Sequence, residues 1–357
     1  MSEEKPARVS RRDLRAAQEA ELAEVVEKTP TSVLILDGTS GTGMAMIRQL
    51  QGKGVQVAAS TDEGSYGAAA IRELGAVPMF SELDRATSIR SAIDAVQATA
   101  VVHLLGTRFN GLPHVSANPA EFDETMISSA EALVEAVKGS SVERVIFVSA
   151  AMLYGDQHGH EVDESTRLSG LVSKSLVKAE KIVLKSTVPA IILRAGFVYG
   201  GGSEALKQAA ADLGRGAAID SGDGLGNYIQ EEDLASAIIK AIELDDISQI
   251  KPIMNIVDGS PIPADTFAEA LGHALGVGKP GLRKGGFARM RMGDYRRNLL
   301  DQSLRVSNDL AKAQLNWQPD YADVIDGLDR AAMSWRAGDS DTVAEAREVR
   351  ELILSWK

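Results

Sequence analysis

From residue 31 onward the chain repeats one pattern: a short apolar run, a polar or glycine-rich turn, then apolar residues spaced three and four apart. Val33-Leu34-Ile35-Leu36 predicts a strand buried on both faces, and Met44, Ile47 and Leu50 predict the inner face of a helix. Further strands are predicted over 54–60, 77–80, 101–106 and 144–149, with helices over 69–74, around Ile89, Ala92 and Ile93, and over 120–138. His103 falls inside the fourth run and reads as a packed core histidine, and 110–118, with a glycine and a proline, reads as a loop. Strand and helix alternating this regularly predict right-handed crossovers and an α/β fold, a doubly wound Rossmann parallel sheet. Ligands then collect at the carboxyl ends of the strands.

Between the first strand and helix lies Asp37-Gly38-Thr39-Ser40-Gly41-Thr42-Gly43. A tight glycine turn of this kind aims free backbone N–H groups and the positive end of a helix dipole at a ligand, so a pyrophosphate is its natural guest. Asp62 follows the second strand, where an acid accepts hydrogen bonds from the adenosine ribose, with Ser60 and Thr61 as alternatives at the same contact. This favours NAD over NADP slightly and leaves the choice open.

Past residue 200 the pattern changes. Helices are predicted over 204–213, 232–244 and 263–275, with a short strand over 218–221 before Gly222-Asp223-Gly224. The predicted domains are an N-terminal helical arm (1–30), a dinucleotide-binding domain (31–200, with 225–248 returning to it), a smaller discontinuous C-terminal α/β domain (201–224 and 249–330), and a helical extension (331–357). The arm carries Leu14, Ala17, Leu22, Val25 and Val26 on one face; the extension carries Val343, Val349, Leu352, Ile353 and Trp356. Each packs on its own domain or docks on a neighbour, in a homo-oligomer or a larger protein complex.

Composition narrows the chemistry. The chain has 357 residues, 44% of them apolar, and a formal charge of -12, which repels phosphate backbones and argues against nucleic acid. With no cysteine there are no disulfides and no thiol catalysis, and five scattered histidines make no metal-ligand spacing. A charged N-terminus and no spanning apolar run predict a cytoplasmic protein without a transmembrane segment. Against the acidic mean, Lys279, Arg283, Lys284, Arg289, Arg291, Arg296, Arg297 and Arg305 stand with only Asp294 and Asp301 among them. They form either a solvated basic loop or a seat for an anionic ligand.

The chain resembles the extended short-chain dehydrogenases/reductases, the NAD-dependent epimerase/dehydratase family. The matching stretches run in order: the glycine turn, Ser81-Glu82-Leu83, Val101-Val102-His103-Leu104, Phe147-Val148-Ser149 with Tyr154-Gly155, Leu193 to Gly200, Gly222-Asp223-Gly224, Asp233-Leu234-Ala235, Asn255-Ile256, and Leu315-Asn316-Trp317-Gln318-Pro319. The resemblance implies NAD or NADP held by Gly38, Ser40, Gly41, Thr42, Gly43, Asp62, Glu82, Leu83, Leu104, Leu105, Gly106, Ser149, Gly196 and Val198. It also implies an anionic substrate, mostly a nucleotide sugar, near Arg283, Arg289, Arg291, Arg296 and Arg297.

Two departures stand out. Met44 occupies the place of the family's third turn glycine. The family's tyrosine and lysine, four residues apart, fall on Leu171 and Ser175 in one alignment and on Val172 and Leu176 in the other, and no tyrosine lies between Tyr154 and Tyr199. The serine position falls on Ala150, with Ser149 adjacent. Ser149, His158, Lys174 and, beside them, His160 and Lys178 are the remaining candidates, although the lysines also read as solvated surface residues and the histidines as idle loop residues. Two functions follow: a dinucleotide-binding protein with a degenerate catalytic pair, serving as a binding, regulatory or assembly subunit, or an atypical oxidoreductase, epimerase or dehydratase with another proton donor.

Overall fold

The computed structural model describes residues 32–62, 66–109, 112, 119–169, 173–283 and 294–337. Seven strands form one sheet: β1 (Ser32–Leu36), β2 (Gln56–Thr61), β3 (Val77–Phe80), β4 (Ala100–His103), β5 (Arg144–Ala150), β6 (Ala190–Ala195) and β7 (Ile253–Ile256). All pairings are parallel, in the order β7-β6-β5-β4-β1-β2-β3. The strand order reverses at β1, so a crevice opens between the carboxyl ends of β1 and β4.

The helices are α1 (Gly41–Gln51), α2 (Gly67–Glu73), α3 (Ala86–Val96), α4 (Pro119–Val137), α5 (Lys174–Val183), α6 (Glu204–Gly214), α7 (Glu231–Glu243), α8 (Ala264–Leu275), α9 (Asp294–Asp301), α10 (Asp309–Leu315) and α11 (Val324–Ala337). Alternate residues of β1 serve two cores. Leu34 and Leu36 pack with Ile89, Ile93, Met126, Leu133 and Leu176 on one side. Val33 and Ile35 pack with Met44, Ile47, Leu50, Leu234 and Ile238 on the other. An unbroken apolar run is what a strand covered on both faces requires.

Three expectations are corrected. The fourth run does not stay extended to Gly106: β4 ends at His103, and a one-turn helix, Gly106–Phe109, follows. A Cβ at Gly106 would lie 1.8 Å from the Val148 carbonyl oxygen, so the chain crosses β5 too closely for any side chain there. Second, Ile253–Ile256 lies in the main sheet and not in the small domain, because Met254 pairs with Leu193 beside it. Ala311, Leu315 and Trp317 join the α7 core for the same reason: each presents an apolar surface that the main sheet face buries. Third, residues 331–337 are not an added extension but the end of α11, whose Trp335 is fully buried and donates Nε1–H to Gly201 O at 2.8 Å. Outside the seven-stranded sheet lie α6, α8 and the short pairs Ile219–Asp220 with Leu282–Arg283 and Leu225–Gly226 with Ile262–Pro263, and the apolar residues of α6 and α8 join the core that Leu34 and Leu36 face. The predicted arm 1–30, Leu171, Val172, residues 338–357 and nearly all of the loop 110–118 lie outside the described residues; Leu112 is buried.

Candidate active site at the carboxyl ends of the strands

The glycine turn is built by close approach. A Cβ at Gly38 would stand 2.5 Å from Ala59 Cβ on β2, and one at Gly43 would stand 2.4 Å from Gly38 O. One at Gly41 would stand 2.1 Å from Glu231 Oε2 on α7. Asp37, at φ 64°, bends the chain out of β1. Its N–H donates to Ser60 Oγ at 2.8 Å, and Gly38 N–H donates to Ser60 O at 3.0 Å, which pins the turn to β2. Ser40 caps α1: its Oγ accepts from Gly43 N–H at 3.2 Å and donates to Asp37 O at 2.9 Å.

The cap consumes the Gly43 N–H and leaves the Gly41 and Thr42 N–H groups ahead of it at the start of the helix. Thr42 Oγ1, 98% shielded, has no hydrogen-bond partner among the described residues. Oriented amides, a helix dipole and an orphaned hydroxyl fit a dinucleotide pyrophosphate. Met44, in the place of the third glycine, is buried in the core below the turn, so the substitution is absorbed by packing.

At the carboxyl end of β2, Asp62 is exposed, while Ser60 and Thr61 are buried. Sequence reasoning missed Arg108. Its Nε and Nη2 donate to the two Asp37 carboxylate oxygens at 3.1 and 2.6 Å. The bond to Asp37 raises the guanidinium's pKa above its ordinary value, and the field of Asp62 adds to it. No local motif marked Arg108, because its partner lies 71 residues earlier. Glu82 is exposed and paired with Arg85 at 3.1 Å; Leu83 packs against the core; Leu104 and Leu105 are buried. Gly196 touches the Asn227 carbonyl, 2.7 Å from where its Cβ would be, and Val198 is buried in a short strand beside Ile229. The structure thus gathers Gly38, Ser40, Gly41, Thr42 and Gly43 at β1 with Asp62 at the neighbouring strand end, and sets Ser149, Gly196 and Val198 at β5 and β6.

Around β5 and β6 the polar groups satisfy one another. Ser149 Oγ donates to Glu180 Oε1 at 2.5 Å. Arg194 grips both Glu180 oxygens, Nε at 3.0 and Nη2 at 2.7 Å, and donates through Nη1 to Tyr154 Oη at 3.1 Å. Tyr154 donates to Asn255 Oδ1 at 2.9 Å, and the Asn255 N–H donates to Glu164 Oε1 at 2.8 Å. Burial pushes the Tyr154 phenol upward against the pull of Arg194. Burial also opposes the Arg194 charge, but the bonds and field of Glu180 outweigh it and hold its pKa above the ordinary value. Of this chain, sequence reasoning had quoted Tyr154, Arg194 and Asn255 only as motif letters and missed Glu180 as a partner. A lone acid on the apolar face of α5 was the available signal.

The inner face of α5 presents Ser175, Leu176, Ala179, Glu180 and Val183, while Lys174 and Lys178 are exposed. His158 is exposed and pairs with Asp156 at 3.1 Å; His160 is exposed too. His103 is fully buried, stacks on Phe147 at 4.9 Å, and is lowered by burial to about 4, so it is neutral at physiological pH. A small cavity of about 10 Å³, room for one water, is lined by Ala151, Met152, Ala195, Gly196, Phe197, Asn227, Gln302 and Leu304, none of them titratable.

The basic stretch is partly folded onto one acid. Arg283 Nε and Arg296 Nη1 approach the two oxygens of Asp220 at 2.6 and 2.8 Å. Burial lowers the Arg296 pKa, with Asp220 opposing. Arg297 pairs with Asp294; Lys284, Arg289 and Arg291 lie outside the described residues. Among the described residues no group of three His, Cys, Asp or Glu could hold a metal ion, and no helix is long and apolar enough to cross a membrane.

A doubly wound sheet with a glycine turn at its switch point defines a Rossmann-type fold. The model of the NAD-dependent epimerase/dehydratase family matches residues 33–256, more than half of the chain, and the chain belongs to that family. Among solved structures, UDP-glucose 4-epimerase from Bifidobacterium longum, in complex with NAD+ and UDP, is similar at TM-score 0.70 and 18% identity, over 87% of this chain and 100% of that one. dTDP-glucose 4,6-dehydratase from Bacillus anthracis, in complex with NAD, gives 0.68 and 17%, over 92% and 100%. The human epimerase family protein SDR39U1, with NADPH, gives 0.67 and 18%, over 85% and 99%. No curated protein matches.

Proposed function

We propose that this chain binds NAD through the α1 turn and has given up the family's proton-transfer chemistry, serving as a binding, regulatory or assembly subunit. The observation that carries this reading is the state of its acid–base candidates. Ser149 and Tyr154 are locked in the buried Glu180–Arg194 network, while Lys174, Lys178, His158 and His160 point to solvent. Leu176, fully buried, occupies one of the two positions open to the family's lysine. A proton donor has to reach the reacting oxygen directly or through one water.

The preference for NAD rests on charge. Asp37 and Asp62 face one guanidinium, Arg108, at the adenosine end, which leaves a net negative site that disfavours a 2′-phosphate. A bound nicotinamide dinucleotide supplies hydride exchange. The turn's amides and Thr42 hold its phosphates, and the Ser40 cap fixes their direction.

One observation favours the second reading, an atypical oxidoreductase, epimerase or dehydratase: Arg283 and Arg296 converge on a single carboxylate, an arrangement that an anionic substrate could enter by displacing Asp220. The experiment is gentle purification, release of bound small molecules and their identification by mass spectrometry, together with turnover assays on nucleotide sugars. NAD alone, with no turnover and with partner chains co-purifying, is expected. A bound nucleotide sugar, or turnover that is lost in Arg296→Ala, would establish the second reading instead.

A further inference from the structure

Glu231 is the first residue of α7 and is almost fully buried. Its carboxylate is wedged among three glycines. Oε1 accepts from Gly202 N–H at 2.8 Å. A Cβ at Gly41 would lie 2.1 Å from Oε2, and a Cβ at Gly200 would lie 2.2 Å from Cδ. Gly202 itself packs on Gly41, its Cβ position 2.6 Å from the Gly41 Cα. Three helices begin around this carboxylate: α1 at Gly41, α6 just after Gly202, and α7 at Glu231 itself. Converging helix starts favour a negative charge. Gly41 is therefore shared: it opens the helix whose first N–H groups are left by the Ser40 cap, and it touches a carboxylate of the same chain.

We propose that Glu231 is an internal anion that sets the affinity of the α1 turn for phosphate-bearing ligands. This rests on the dinucleotide reading above. A fixed negative charge against the first residue of α1 draws on the same dipole that would hold the pyrophosphate and disfavours further negative charge at that helix start. The charge is not isolated on its other side, where a cavity of about 270 Å³ brings Arg48, Glu232 and Arg330 alongside it. Arg330 is committed to Glu232 at 3.3 Å. Glu231 is thus a specificity-determining residue whose effect scales with ligand charge. It penalises phosphates and is indifferent to the adenine and ribose.

The test is a calorimetric titration of the full chain and of Glu231→Gln with NAD+, ADP and adenosine, with melting temperatures recorded alongside. Glu231→Gln keeps the shape and the acceptor for Gly202 while removing the charge. It is expected to bind NAD+ and ADP about tenfold more tightly and adenosine within about twofold of the native chain. Equal or weaker binding of NAD+ and ADP by the folded variant would overturn the inference while leaving the dinucleotide reading standing. Should Glu231→Gln fail to fold, Glu231→Ala, which removes charge and bulk together, is read by the same ratio of NAD+ to adenosine affinity. If neither the native chain nor the variants bind NAD+ or ADP, the dinucleotide reading falls and this inference with it.

Discussion

Two regions share the carboxyl edge of the sheet and manage their polar groups in opposite ways. At β1 and α1 the chain spends its side chains on shaping a turn and leaves backbone donors at the helix start and a buried hydroxyl, Thr42 Oγ1, without a partner among the described residues. At β5, β6 and α5 it spends charge on charge: Ser149, Glu180, Arg194, Tyr154 and Asn255 form one buried chain of bonds. The first arrangement suits a ligand. The second suits rigidity, because a group already held by a buried ion pair cannot exchange a proton without leaving its partner uncompensated.

The largest expected effect comes from breaking the second region. Arg194→Met leaves Glu180 buried without its cation and should cost about 3–5 kcal/mol in urea unfolding. Dinucleotide affinity, measured where the variant is still folded, should be unchanged. Loss of affinity in proportion to stability would merge the two regions into one.

His103, on β4 between them, sharpens the contrast through pH. Its folded pKa is lowered by burial from 6.5 to about 4, so the unfolded chain binds more protons between those values. Stability is complete above about 6.5 and falls with pH toward 4, by on the order of 3 kcal/mol. His103→Phe should flatten that slope in thermal melts from pH 4 to pH 7; an undiminished slope would place the acid sensitivity elsewhere.

Ser40→Ala tests the first region. Losing the α1 cap should cost about 1 kcal/mol in unfolding and weaken NAD binding severalfold in calorimetry, since the amides lose their fixed direction. An affinity equal to that of the native chain would show that the turn does not need the cap. The smallest effects belong to Lys174→Ala and His158→Ala. Both side chains are exposed, so melting and binding should stay within about 0.5 kcal/mol of native.

The same contrast explains what could be read from sequence. The sheet, the turn and the family were legible because each is written locally: an apolar run, glycines at short spacing, an ordered series of motifs. Partners distant in sequence were not. Glu180 and Arg194 lie on a helix face and a strand whose apolar patterns conceal two opposed charges. Arg108 meets Asp37 only after β4 is laid beside β1. The strand Ile253–Ile256 was assigned to the wrong unit because a four-residue run carries no mark of which sheet it joins, and its pairing with β6 decides that. Residues 331–337 were assigned to an added extension because no local mark shows where the fold ends; the place of Trp335 against Gly201 shows that this helix closes the fold.

The most direct measurement is a calorimetric titration of NAD+ into the native chain and into Thr42→Val, which keeps the shape of residue 42 and removes the orphaned hydroxyl at the head of α1. Saturable binding by the native chain, weakened about fivefold or more in Thr42→Val with a melting temperature unchanged or raised, is the expected result. No binding by the native chain, or equal binding by both, would contradict the claim that this turn is where the dinucleotide is held.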